Sequence, residues 1–173
     1  MTGFRFSRIV LAMVVAVAGM TVALEQAQAD TPSWTRLLRY HRTLGYKVLQ
    51  FAKSQMGKQV GNGECWTLAH DALQAAGAKR PGQELAVYVF GTPVSLQDAR
   101  AGDILQFENV RFVSPSGAWQ SFGHHTAIVS GRSGNVIQLI HQNVNGNRTV
   151  QTGTINLAER QGGTIQAFRP VAR

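Results

Sequence analysis

Cysteine is almost missing from this chain of 173 residues, which holds a single one, Cys65. A lone thiol closes no intramolecular disulfide, so a cystine framework is excluded and stability must come from an apolar core. Long apolar runs are missing too. The longest, Ile9 to Leu24, contains Gly19 and Thr21 and falls short of the roughly 20 residues a helix needs to span a bilayer. Acidic residues are scarce, 9 against 17 Lys and Arg, a formal charge of +8 with His neutral. That balance draws the chain to polyanions. The basic residues are scattered, however, and no DNA- or RNA-binding motif is present, so nucleic acid is not the expected partner. There is no H-E-x-x-H, no internal repeat and no low-complexity linker.

What is there begins with Arg5 and Arg8, the apolar run, and Ala27-Gln28-Ala29 ahead of Asp30. This is the order of a secretory signal peptide over residues 1–29, with cleavage expected after Ala29 and no stable membrane anchor afterwards. No adjacent arginine pair marks the twin-arginine route, and no cysteine near the cleavage site marks a lipid anchor. Cleavage leaves 173 − 29 = 144 residues and a charge of 15 − 8 = +7, one domain's worth of chain. Such a product is expected to be a periplasmic or secreted monomer. In an exported protein the unpaired thiol then reads as reactive or intermolecular.

Residues 30–44, around Trp34, Leu37, Leu38 and Tyr40, suit an arm or short helix. Val48, Leu49, Ala52 and Met56 have helical spacing over Gly45 to Met56, ended by Gly57. A second helix begins at Cys65, carries Trp66, Leu68, Ala69, Ala72, Leu73 and Ala76 at the spacing of one buried stripe, and stops at Gly77. Strands are expected at Val87 to Phe90, broken by Gly91-Thr92-Pro93, then at Ile104 to Phe107 and Val110 to Val113. Further strands follow at His124 to Ser130 and Val136 to Gln142 around a five-residue turn, near Thr149 to Thr152, and at Thr164 to Phe168. Helices first and strands after predict an α+β domain, helices packed on one face of a five- to six-stranded antiparallel sheet.

Cys65 at a helix start, after the Gly61-Asn62-Gly63-Glu64 loop, meets unpaired backbone N–H groups and the positive end of the macrodipole, which favour the nucleophilic thiolate. A thiol nucleophile needs a base, and the base an orienting group. A turn centred on Ser133 sets His125 directly opposite His141 on one face of the sheet, close enough for one imidazole to orient the other. His124 then points to the other face. His70 lies about 140° round the helix from Cys65 and reads as structural. Asp103 serves its turn, and Glu64 suits a loop or substrate-facing role, since a carboxylate beside the thiol would oppose thiolate formation. A zinc site from Cys65, His125 and His141 is the competing arrangement. Without closely spaced ligands it is the weaker one, so neither metal nor cofactor is expected.

Four segments occur in order: Gly63-Glu64-Cys65-Trp66-Thr67-Leu68, Ala101-Gly102-Asp103-Ile104-Leu105-Gln106-Phe107, His125-Thr126-Ala127-Ile128-Val129 and His141-Gln142-Asn143. Across residues 45–145 the sequence resembles the CHAP (cysteine, histidine-dependent amidohydrolase/peptidase) domains and the NlpC-type cell-wall peptidases. The resemblance implies a papain-like hydrolase domain over 45–173, with Cys65 as nucleophile and His125 as base. CHAP domains often carry an acidic residue where His141 stands, with Asn two positions on as at Asn143, whereas NlpC-type enzymes often use His. The third member is thus His141 or Asn143. The implied substrate is peptidoglycan or another peptide amide, cut through a thioester. The Cys65 N–H and the side chain of Gln59 are the candidate oxyanion donors. A non-catalytic wall-binding or inhibitor module on this fold, and an acyl transferase using the same thiol, are the alternatives.

Overall fold

Thr43 opens the described part of the chain by capping a helix, its Oγ1 accepting the Tyr46 N–H at 3.1 Å. The computed structural model describes residues 43–173; the expected leader and residues 30–42 of the arm lie outside the described residues. That first helix, α1, spans Leu44–Ser54 and buries Val48, Leu49 and Ala52, ending two residues earlier than its apolar spacing predicts. The second, α2, spans Cys65–Ala76 and buries Leu68, Ala69, Ala72, Leu73 and Ala76. Gly77 closes it in the left-handed conformation (φ 76°), where a side chain would be strained.

Six strands follow: β1 Thr92–Val94, β2 Ile104–Val113, β3 Trp119–Ser133, β4 Val136–His141, β5 Gln151–Asn156 and β6 Arg160–Arg169. They form one antiparallel sheet in the order β1-β6-β2-β3-β4-β5. The side-chain alternation of the strands sorts the core into two layers. Ile104, Ile128, Ile140 and Phe168 pack with the buried stripes of α1 and α2. Leu105, Ala127, Leu139 and Ala167 point the other way, into a cluster with Phe107, Phe112, Phe122 and Ile137 that contains no residue of α1 or α2. The expected α+β architecture is therefore present, with six strands and helices on one face.

Three local expectations are corrected. Val87 to Phe90 is not a strand: Tyr88 takes φ 65° and the segment runs as turns, while the edge strand is Thr92–Val94, the stretch expected to break it. Pro93 is tolerated there because β1 is an edge strand. Ile104 to Val113 is one strand, its ladder with β6 shifting register near Asn109, which sits at φ 52°. The β3–β4 hairpin turns on Gly134 and Asn135 alone, because Ser133 already pairs with Val136. Ser130 is the extra residue of a β-bulge, with Val129 opposite Leu139 and Gly131 opposite Gln138.

The motif at Gly102 and Asp103 locks this scaffold. Gly102 (φ 89°) lies so near Gly45 that a Cβ would collide with the Gly45 backbone at the start of α1. Asp103, 1% exposed, accepts Arg100 N–H at 3.0 Å and two bonds from Arg169 at 3.1 and 2.9 Å, joining the start of β2 to the end of β6.

Candidate active site

Cys65 is the first residue of α2, and the turn that delivers it is held from inside. Asn62 Oδ1 accepts the Glu64 N–H at 3.1 Å and the Thr67 hydroxyl at 2.7 Å, and the Gly63 N–H donates to Val60 O at 3.0 Å. The decisive anchor comes from far along the chain. Gln142, fully buried, accepts the Val60 N–H at 3.1 Å and donates to Val60 O at 3.0 Å and Glu64 O at 2.8 Å. The residue before Cys65 is thereby fastened to the residue after His141. The thiol itself is nearly closed off, Cys65 being 8% exposed.

His125 and His141 come together, though not as direct cross-strand partners. Ile128 faces Ile140, so continuing the ladder sets His141 against Ala127, diagonal to His125 and on the same face. The diagonal is short enough for a bond between the rings: His125 Nε2 lies 3.1 Å from His141 Nδ1. A regular ladder continued back from the Ser133–Val136 pair would have put His141 opposite Ile128, on the wrong face. The Ser130 bulge supplies the correction. Both imidazoles project from the face away from the helices, where Phe122 stacks on His125 at 5.0 Å between centroids. β4 ends at His141, so alongside His125 the sheet carries no further β4 ladder, and there Gln142 docks the start of α2.

Burial decides the charge of the pair. Desolvation first, then His141 and His124 nearby, push His125 down to about 3, and desolvation pushes His141 down to about 4. Both rings are neutral near pH 7, able to accept a proton. Since Nε2 of His125 is taken by His141, Nδ1 is the nitrogen left for a thiol.

The remaining candidates separate cleanly. Asn143 (φ 61°) donates Nδ2 to Glu64 Oε2 at 2.7 Å and braces the loop, away from the imidazole bond. Arg148 holds the other Glu64 oxygen at 3.1 Å, so that carboxylate is neutralised by a partner. Gln59 is exposed, its Nε2 donating to Gly61 O at 3.3 Å with its amide carbon against Gly63, within the loop that leads to Cys65. His70 stacks on Trp66 at 4.8 Å and bonds Asp71, a packing role. His124, on the opposite face from His125, pairs with Glu108 at 2.8 Å. Among the described residues no three His, Cys, Asp or Glu side chains converge as a metal-binding group. A cleft of about 390 Å³ borders His141, Phe122, Trp119, Val144 and Asn145; neither Cys65 nor His125 lines it. Sequence reasoning missed Gln142 as the clamp and Phe122 as the stacking partner. The first was legible only as a neighbour of His141, and the second lies in a stretch with no readable pattern.

A family model described as the AIM3/BBC1 cysteine proteinase-fold domain matches residues 23–173, beginning inside the expected leader. The chain is 28% identical over 159 residues to altered inheritance of mitochondria protein 3 of Debaryomyces hansenii; the match covers 81% of this chain and spans 17% of that protein. The fold is similar to the crystal structure of Ly7917, with TM-score 0.51, 20% identity, and 74% and 63% of the two chains covered. It is equally similar to Ly7917 with the hydrolyzing product of MDP, with TM-score 0.51, 21% identity, and 76% and 65% covered. A family match that runs over residues 23–173 leads to one assignment: the chain belongs to the AIM3/BBC1 cysteine proteinase-fold domain family.

Proposed function

We propose that this domain is an exported thiol amidohydrolase of CHAP or NlpC type that opens amide bonds of peptidoglycan, with Cys65, His125 and His141 as its catalytic unit. The observation that carries the reading is the buried 3.1 Å bond between His125 and His141 beside the clamped start of α2. In this scheme Cys65 Sγ attacks the amide carbon and its proton passes to His125 Nδ1. The oxyanion is met by the Cys65 N–H at the helix start and by Gln59. His125 returns the proton to the leaving amine, a thioester remains, and water activated by His125 releases the acid and the free thiol. His141 holds the imidazole in the tautomer that leaves Nδ1 free to accept. Asn143, tied to Glu64, is left with a bracing role.

The test is mass spectrometry of fragments from purified peptidoglycan. Wild-type protein is expected to release new amine termini and Cys65→Ala none. His125→Ala should be nearly as damaging, and His141→Ala less so, since water can partly replace an orienting group. Turnover retained by Cys65→Ala would remove the thiol from the mechanism. A second reading, a domain that keeps this fold and binds without cleaving, is favoured by the kinship with a yeast protein named for altered inheritance of mitochondria. It predicts no fragments from the wild type and retention on the polymer by both proteins.

A further inference from the structure

We infer that Gly153, in the middle of β5, is a positioning residue: the place where its Cβ would be is the seat of the His141 ring. The inference rests on the reading of His125 and His141 as one unit and adds the residue that fixes their mutual geometry.

Gly153 pairs with Leu139 in the β4–β5 ladder, so its missing side chain would share the face on which Leu139 and His141 project. A Cβ built there would lie 2.6 Å from His141 Nε2 and 2.7 Å from Cε1, closer than real Cβ atoms come to anything. The ring has no easy retreat. Its Nδ1 is held by His125 at 3.1 Å, Phe122 stands 6.3 Å away on the same face, and the residue is 4% exposed. Gly153 has no positive φ, so the backbone does not demand glycine there. A strand interior ordinarily disfavours glycine, and the close approach of another group is the usual reason for one. The ring edge bearing Nε2 and Cε1 therefore rests on bare backbone, which turns Nδ1 toward His125 and leaves His141 on the border of the neighbouring cleft.

The experiment compares Gly153→Ala with Gly162→Ala, a glycine of β6 whose added Cβ meets nothing within 4 Å. Two readouts are taken, imidazole titration by NMR and hydrolysis kinetics. In the wild type and in Gly162→Ala, His125 and His141 should stay neutral from about pH 8 down to about 5.5. In Gly153→Ala the displaced pair should titrate inside that range, and kcat should fall about 10- to 100-fold with little change in KM. In a His141→Asn background the shorter side chain leaves room for the methyl, so Gly153→Ala should add no further loss. Equal losses in both backgrounds, or an unchanged titration, would overturn the inference. If Gly153→Ala alone does not fold, folding of the double variant supports the inference, and its failure where His141→Asn folds refutes it. The titration arm needs no activity, so a domain that cleaves nothing still decides the positioning claim separately from the proposed function.

Discussion

Two neutral imidazoles buried against each other tie the stability of the domain to pH. The unfolded chain binds protons at each histidine near pH 6.5, whereas the folded protein resists until about 4 for His141 and about 3 for His125. Because the unfolded state holds more protons in that window, the contribution of the pair is complete above about pH 6.5. It is lost as pH falls, down to about 4 for His141 and about 3 for His125, each histidine costing at most about 1.4 kcal/mol per pH unit. Urea midpoints measured from pH 7.5 to 4.5 should decline, and a variant with both positions changed to Asn should decline less steeply. A parallel decline in the two proteins would place the acid sensitivity elsewhere. At this scale the sequence was informative where chemistry is scarce. A single thiol and a histidine pair stand out in a list of residues, while the job of Gln142 depends on which backbone groups surround it, and residue types do not carry that.

Elements were legible where one period dominated. The α2 stripe from Leu68 to Ala76 and its glycine stop were readable because helical spacing and a left-handed cap coincide. Val87 to Phe90 misled because β-branched and aromatic residues also fill irregular segments: Phe90 is fully buried, packed on Phe168 at 5.9 Å between centroids, without any ladder. Among the long-range anchors of the loop before Cys65, Gln142 is the buried one. Gln142→Leu would leave Val60 N–H without a partner and remove one of the bonds to Val60 O and to Glu64 O, which keep Gly63 N–H and Thr67 N–H, a loss of roughly 1–3 kcal/mol for the one buried unpaired group. The expected result is a lower urea midpoint and faster iodoacetamide labelling of Cys65 under native conditions. Labelling at the wild-type rate would show that the clamp does not control access to the thiol.

Across the whole molecule, β6 closes the sheet between the edge strand and β2, and its last residue is fixed from below by Asp103. The Asp103 side chain is 2% exposed and that of Arg169 is 30% exposed, so water can still reach the guanidinium if the pair is broken. Asp103→Asn should therefore cost about 2–3 kcal/mol, less than a fully buried pair, and lower Tm by roughly 5–10 °C. Calorimetry checks this, and an unchanged Tm would mean that the turn at Arg100 and the ladder suffice. The overall architecture was readable from the order of helices and strands. Strand boundaries were not, because bulges at Asn109 and Ser130 change which face a residue takes without leaving a mark in composition.

Ser130 also bears on how this chain can be aligned with its relatives. The ladder is intact on both sides of it, Val129 with Leu139 and Gly131 with Gln138, so the hairpin contains one position that can be dropped without turning a neighbour over. Removing Ser130 leaves His125 and His141 on the face they share, and such a variant should keep their NMR signature. Inserting one alanine between Ala127 and Ile128 brings Thr126 to the place of His125, and that signature should vanish. A gap at position 130 is therefore harmless when sequences of this family are set side by side. A gap between 125 and 129 marks a chain whose histidine faces the wrong way.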